Sequence, residues 1–588
     1  MKASNKIIVD ANSAVANMAY RTNEVFPIYP ITPATEMSEL VEKWNASGVK
    51  NIFGDNTVVR QLQSEAGVAG TLHGALQTGS LSTTFTSSQG LLLMIPNMYR
   101  IAAELFPNVI HVATRSIAAQ ALSIFGDHTD IMAARTTGYA FLGSSTVQEA
   151  YDMALIAQAA TLESRIPIIH FFDGFRTSHE VNCLEEISDE IILKMISNEN
   201  IWSHRNRGLS NSSPSIRGSA QGPELYFQSR EAVNTYYAKA SSIFRDIFVN
   251  FENLTGRPYR SLEYYGHERA EHLIISMGSS ISTIKETIDL YPENKWGCIN
   301  IRVFRPFDVY ELGKILPETV KTISVLDRTK ECGAIGEPLF VDVSSAILKL
   351  FSEEKITKAP KVIGGRYGLS SKEFTPEMAV GVFQNAESSD SQSPFTVGIV
   401  DDVTHYSLPY SLNKFKTRIY DYEIIIKDKN QTLVKDFSGL CSGLGEGQFV
   451  QGYPELSYSK FNPSKTFNVR LNKEPINSSY KISKADLVIC VDSKGLENLD
   501  IISRIKRNGV ILILSEVDKL TIQEEAYNYL IQNEISVIFS SDYSAEKSSL
   551  KSLANLINQV RKLHITSTFE DKNLSHLGLK KLNIAENM

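Results

Sequence analysis

Apolar and polar positions alternate along the first 180 residues with two periods. Residues 14–21 carry apolar positions at helical spacing, 24–31 form an apolar run of strand length, and 33–44 return to the helical period. The same reading gives a helix over 58–76, a Thr-rich strand over 81–87, a helix over 91–105, a strand over 108–115, a helix over 147–162 and a strand over 167–172. Strands and helices in turn predict a parallel sheet with helices on both faces.

The pattern breaks over 203–235, a stretch rich in Ser, Asn, Arg and Gly that reads as a connecting segment. A second α/β unit opens with the strand Leu273-Ile274-Ile275-Ser276-Met277, passes through Gly278-Ser279-Ser280 into a helix, and holds a further strand over 322–326. A third unit starts near Phe415 and contains two buried strands, over 485–491 and 509–514. The units are set at 1–258, 259–412 and 413–565, with a polar tail over 566–588 expected to fray or to meet a partner.

Composition narrows the classes. The 588 residues are 43% hydrophobic, enough for several separate cores. A balance of 59 Lys+Arg against 66 Asp+Glu gives −7, which argues against a nucleic-acid or anionic-membrane surface. No apolar run spans a bilayer, and the start Met1-Lys2-Ala3-Ser4-Asn5-Lys6 has no signal core, so a cytoplasmic protein is expected. Cys183, Cys298, Cys332, Cys441 and Cys490 are scattered. An iron–sulfur cluster or structural zinc needs closely spaced ligands, so neither a cluster nor a metal is expected, and each thiol reads as a core residue.

Three places carry candidate chemistry. In Tyr29-Pro30-Ile31-Thr32-Pro33-Ala34-Thr35 a strand turns into a helix, with Thr32 expected as N-cap and Pro33 as first helical residue. This is either a well-capped helix or a ligand position, since ligands of open α/β sheets sit beyond the carboxyl ends of strands. In Gln61-Leu62-Gln63-Ser64-Glu65-Ala66-Gly67-Val68-Ala69-Gly70, a helix would put Val58, Leu62, Glu65 and Ala69 on one stripe. Glu65 would then be a carboxylate on an apolar face among small residues. It is either satisfied by backbone or Arg, or poised to exchange a proton with a ligand. Arg115 ends the strand of His111-Val112-Ala113-Thr114-Arg115 on the same side, suited to a salt bridge or to capturing a carboxylate. His128 reads as a helix-start residue rather than a base.

These segments, together with Ser87-Ser88-Gln89-Gly90, His170-Phe171-Phe172-Asp173-Gly174-Phe175-Arg176-Thr177-Ser178-His179-Glu180 and Gly218-Ser219-Ala220-Gln221, resemble the first domain of pyruvate:ferredoxin (flavodoxin) oxidoreductases. Val303-Phe304-Arg305-Pro306-Phe307, Val325-Leu326-Asp327-Arg328-Thr329-Lys330-Glu331 and Gly365-Arg366-Tyr367-Gly368-Leu369 resemble the second domain. The resemblance implies an α/β fold of three parts: a thiamine-diphosphate-enzyme pyrimidine-type parallel-sheet domain, a transketolase C-terminal-like domain and a degenerate coenzyme A domain. It implies that Glu65 bonds the pyrimidine ring of thiamine diphosphate, and that Thr32 and Arg115 hold the pyruvate carboxylate. It also implies a homodimer.

The chain departs from the family pattern in two ways. The stretch from Ile419 to Gln431, where the family has a Gly-rich loop for coenzyme A, contains no glycine, and the cluster Gly443-Leu444-Gly445-Glu446-Gly447 reads as a flexible turn in another place. The ferredoxin-like and diphosphate-binding domains do not follow. The chain is therefore expected to be a shortened pyruvate:ferredoxin oxidoreductase-like protein, not catalytic alone, reused as a structural or assembly component. The alternative is the pyruvate-oxidising subunit of a split 2-oxoacid:ferredoxin oxidoreductase, binding thiamine diphosphate only with a partner chain that carries the diphosphate site and the iron–sulfur domains.

Overall fold

The computed structural model describes residues 5–212, 214, 217–411, 420–428, 436–455, 465–491, 499–515, 523–540, 550–567 and 570–582. Within these residues the strands gather into three large sheets and one two-stranded ribbon. The α/β class with parallel sheets is the one the hydrophobic pattern predicts.

The first sheet has five strands in the order Val303–Arg305, Ala140–Ser144, Ile168–Asp173, Val109–Thr114, Thr83–Thr86. The last four run parallel. Every residue of Val109–Thr114 is buried, as befits a strand covered on both faces. The helix Val147–Ser164 is buried on nearly all sides, against the helices Ala11–Thr22 and Asn234–Thr255. Its buried Asp152 is matched by Arg257 at 2.7 and 2.8 Å and by the Tyr259 hydroxyl at 2.8 Å, because an unmatched carboxylate there would be costly.

The second sheet has six strands centred on Thr322–Asp327, His272–Ser276 and Trp296–Ile301. The third has nine. Its middle comes from residues after 420, but one edge is made of Lys6–Asp10 and Val181–Glu185, which pair with each other antiparallel. Val181 and Asn182 in turn pair with Gly452 and Gln451. In the same way Val303–Arg305 leaves its neighbours in sequence to join the first sheet. Strands are thus exchanged between regions that are separate in sequence.

Several local expectations are corrected. Residues 58–76 are not one helix: Val58–Gln61 is a strand, parallel to Val25–Ile28, and the helix is Glu65–Gln77. The β-branched pair Val58-Val59 favours the pleat, and extended Ser64 starts the helix anew by accepting from the Gly67 N–H at 3.3 Å. The stripe through Val58, Leu62, Glu65 and Ala69 therefore does not exist. The next helix back is Thr35–Ala46, with Ala34 at its N-cap position and no side-chain cap. Thr32 is not an N-cap and Pro33 is not its first residue. Both lie in a turn closed by Ala34 N–H to Ile31 carbonyl at 2.8 Å, with a cis Thr32–Pro33 bond.

The stretch 203–235 holds the end of one helix, Asn198–Asn206, all of another, Pro223–Ala232, and the start of Asn234–Thr255. Proline at the first helical position was a readable signal there. In the tail, Leu579–Lys581 pairs antiparallel with Ser536–Ser540 rather than fraying. Gly443 lies inside the helix Phe437–Leu444, where an added Cβ would come 2.7 Å from that of Ala554, so close helix contact needs it. In the glycine-free stretch, Tyr422–Asp428 is a regular strand, while residue 419 and residues 429–431 lie outside the described residues. Cys298, Cys441 and Cys490 are buried, Cys183 is half-buried, and Cys332 is exposed in the loop before Pro338–Ser352, so not every thiol is a core residue. Among the described residues no helix is long and apolar enough to cross a membrane.

Candidate functional site

The carboxyl ends of Thr83–Thr86, Val109–Thr114 and Ile168–Asp173 open on one edge of the first sheet. After Thr86 the chain turns sharply into the helix Ser88–Ala103, with Ser88 at φ 50°. After Thr114 it turns at Arg115. One buried carboxylate joins the two turns: Asp130 Oδ2 accepts from the Ser88 and Arg115 N–H groups, both at 2.9 Å, and Oδ1 from Ile131 at 2.8 Å. Burial pushes the Asp130 carboxyl up to about 7 against the pull of these donors.

Arg115 is 7% exposed. Its Nη1 donates to the Thr32 carbonyl at 2.9 Å and its Nε to the Ser123 carbonyl at 3.1 Å. The structure thus brings Arg115 and the Thr32–Pro33 turn together, through the Thr32 backbone. The Thr32 side chain is exposed, and Pro33 is buried, its carbonyl accepting from Asn12 Nδ2 at 2.9 Å. A Cβ on Gly174 would lie 2.8 Å from Pro33 Cγ and 2.2 Å from the Thr114 carbonyl, so only glycine fits this close approach.

Glu65 is the first residue of its helix and is 6% exposed. The helix N-terminus favours a carboxylate there. Among the described residues no donor reaches it. It packs instead on the next helix, where a Cβ on Gly90 would sit 2.7 Å from Glu65 Oε1 and 2.7 Å from Thr86 Oγ1. Thr86 Oγ1 is itself buried without a partner. Glu65 and Arg115 therefore stand at neighbouring strand ends, one unpaired and one firmly held.

The sequence reading missed Asp130 and Asp173. Asp173 ends its strand, fully buried, with His128 Nε2 at 2.7 Å, Arg328 Nη1 at 2.6 Å and the Ser279 N–H at 2.8 Å. Burial alone would raise its carboxyl, but Arg328 and His128 draw it well below the usual range. His128 stands at the start of Thr129–Ala134 as expected, yet its side chain serves this cluster and not the helix. The available signal was an acidic residue closing an otherwise apolar strand. Because Arg328 and Ser279 belong to the second unit, Asp173 also ties the two units together. Among the described residues no group of three or more His, Cys, Asp or Glu side chains could hold a metal ion.

The parallel sheet gathers its polar groups at the carboxyl ends of its strands, where open α/β sheets bind ligands. Residues 17–248 match the family described as pyruvate flavodoxin/ferredoxin oxidoreductase, thiamine diphosphate-binding. Residues 270–371 match pyruvate:ferredoxin oxidoreductase core domain II, and 441–555 match pyruvate ferredoxin/flavodoxin oxidoreductase. A pyruvate-flavodoxin oxidoreductase of Nostoc sp. is 51% identical over 404 residues, 68% of this chain and 98% of that one. One from Trichormus variabilis is 45% identical over 535 residues, 88% of this chain and 44% of the relative. A solved 2-oxoglutarate:ferredoxin oxidoreductase from Magnetococcus marinus, with 2-oxoglutarate, coenzyme A and succinyl-CoA bound, is 19% identical, covers 66% of both chains and gives a TM-score of 0.48. The chain belongs to the pyruvate:ferredoxin/flavodoxin oxidoreductase family. It spans 44% of the length of relatives such as that of Trichormus variabilis.

Proposed function

We propose that this chain supplies the pyrimidine side of a thiamine diphosphate site for oxidative decarboxylation of pyruvate, completed by diphosphate-binding and electron-carrying parts that other protein segments provide. The observation that carries the reading is Glu65: a buried carboxylate that no described residue bonds, set at a helix N-terminus against Gly90. Such a group fits a ligand that offers it a hydrogen bond, and the small surface of Gly90 leaves space for close approach. Thiamine diphosphate, when bound, supplies a carbanion able to attack a keto acid. In this reading Glu65 holds and passes a proton at the pyrimidine ring. Arg115 fixes the Thr32–Pro33 turn and sets positive charge where a substrate carboxylate would lie. No metal is assigned to this chain, and the diphosphate would be held elsewhere.

A second reading, a structural or assembly component without turnover, is favoured by the glycine-free sequence 419–431. Homodimer formation and a partner chain belong to both readings.

The test is purification from the native source with partners retained, followed by thiamine diphosphate analysis and pyruvate-dependent dye reduction, wild type beside Glu65→Gln. The enzymatic reading expects bound cofactor and turnover, lost by a factor of about 10² or more in the variant, with the fold intact. A colourless assembly of fixed stoichiometry, without cofactor or turnover, would establish the structural reading instead.

A further inference from the structure

The amino ends of the same sheet carry a second polar cluster, on the opposite edge from Glu65 and Arg115. Arg165 closes the helix Val147–Ser164 and leads into Ile168–Asp173. Arg207 closes Asn198–Asn206. Arg217 reaches back to both of their neighbourhoods. Its guanidinium donates to the Arg207 carbonyl and lies 5.1 Å over the Phe106 ring. Arg207 donates to the carbonyls of Ser203 at 3.1 Å and Leu105 at 3.5 Å. Arg165 donates to the Tyr236 hydroxyl at 2.9 Å and stacks 4.9 Å over that ring. His204 stands edge-on to Phe106 with its Nε2 3.2 Å from the Ser80 carbonyl.

These side chains are held by carbonyls, a phenol and ring faces. Among the described residues none of Arg165, Arg207 and Arg217 meets a carboxylate. Their neighbour Arg205 shows the contrast, since it pairs with Glu24 at 2.6 Å. Two buried donor atoms in the cluster, Arg165 Nε and Arg217 Nη1, have no acceptor. The charges act on one another. Burial first, then Arg165 and Arg217, push the Arg207 guanidinium down to about 10. Burial first, then Arg207, Arg205 and Arg165, push His204 down to about 4. Three half-buried like charges with spare donors are an unfavourable arrangement until an anion joins them.

We propose that the cluster Arg165–Arg207–Arg217 is a binding site for a phosphate-bearing anion. A tetrahedral dianion offers many lone pairs to planar guanidinium forks arriving from several directions, and phosphate with arginine is a strong charge-assisted pair. Arg100 contributes from behind, where its Nη2 anchors the Gly218 carbonyl at 2.8 Å and so positions the segment that carries Arg217.

The experiment is calorimetric titration of the full chain in chloride buffer at constant ionic strength, first with inorganic phosphate and then with ADP. A thermal unfolding series accompanies it. The expected result is saturable one-site binding and a midpoint that climbs with ligand concentration. Arg165→Gln and Arg207→Gln should each weaken the binding by about tenfold, a single charge-assisted contact. Tighter binding of phosphate identifies a free-anion site, and tighter binding of ADP a site for the phosphate end of a larger metabolite. Absence of saturable heat up to about 10 mM phosphate, far above any useful affinity, or unchanged affinity in both variants, overturns the proposal. If a variant does not fold, the wild-type titration against chloride alone decides.

Discussion

At the carboxyl edge of the first sheet, buried charge is met within the chain. Asp173 has His128 and Arg328, Arg115 has the carbonyls of Thr32 and Ser123, and Asp130 has three backbone donors that offset its burial only in part. Glu65 stands apart, with no donor among the described residues. At the amino edge the proportions reverse: Arg205 is matched, and Arg165, Arg207 and Arg217 meet no carboxylate among the described residues. Compensated charges fix strand ends and join units, so their removal costs stability. Uncompensated ones lower stability, and their persistence points to something bound.

The comparison breaks most visibly at Asp173. Asp173→Asn should destabilise the chain by about 3–5 kcal/mol in chemical denaturation, because it leaves Arg328 buried without its counter-ion. A loss under about 1 kcal/mol would show that the compensation argument is wrong. Gly90→Ala comes next. The new Cβ meets Glu65 and Thr86, and a cost of about 1–3 kcal/mol is expected, together with loss of thiamine diphosphate binding in the assembly.

Asp130 gives a pH signature. Its carboxyl is raised from 3.8 to about 7, so the folded state holds a proton that the unfolded state releases. Its contribution should therefore fall as pH rises from about 4 to about 7, by roughly 1 kcal/mol per unit, and stay constant above. Asp130→Asn should remove that slope, which is checked by denaturation at several pH values. Asp173 has the opposite sign: its stabilisation is present above the unfolded value and is lost only in strong acid. Glu65→Gln should have the smallest effect on stability, unchanged or up to ~1 kcal/mol more stable, while on the enzymatic reading turnover falls by about 10² or more. A marked destabilisation there would mean that Glu65 is held by the fold after all.

The sequence carried the fold class, since runs such as 109–114 and 168–173 are apolar enough to be recognised as buried parallel strands. It carried Glu65 and Arg115 as candidates, but placed Glu65 by a helical stripe that does not form. The period of Val58, Leu62, Glu65 and Ala69 is helical by coincidence, and Ser64 divides the segment. Asp130 and Arg328 were illegible for another reason. Their role depends on neighbours 42 and 155 positions away, in Ser88 and Asp173, which no local pattern encodes. Strand exchange was hidden likewise, because Lys6–Asp10 and Val181–Glu185 look like ordinary members of their own unit.

That exchange has a consequence for how the protein is made. A growing chain offers Lys6–Asp10 and Val181–Glu185 to each other long before Phe449–Glu455 has been translated, so the nascent chain carries a two-stranded ribbon whose Val181–Glu185 side still lacks its later partner. Until the later strand emerges, that edge is a template for any passing strand, including that of a second nascent copy on the same message. Expression of the first unit alone should therefore yield aggregates, whereas slow elongation or a holdase that covers residues 181–185 should favour the native product.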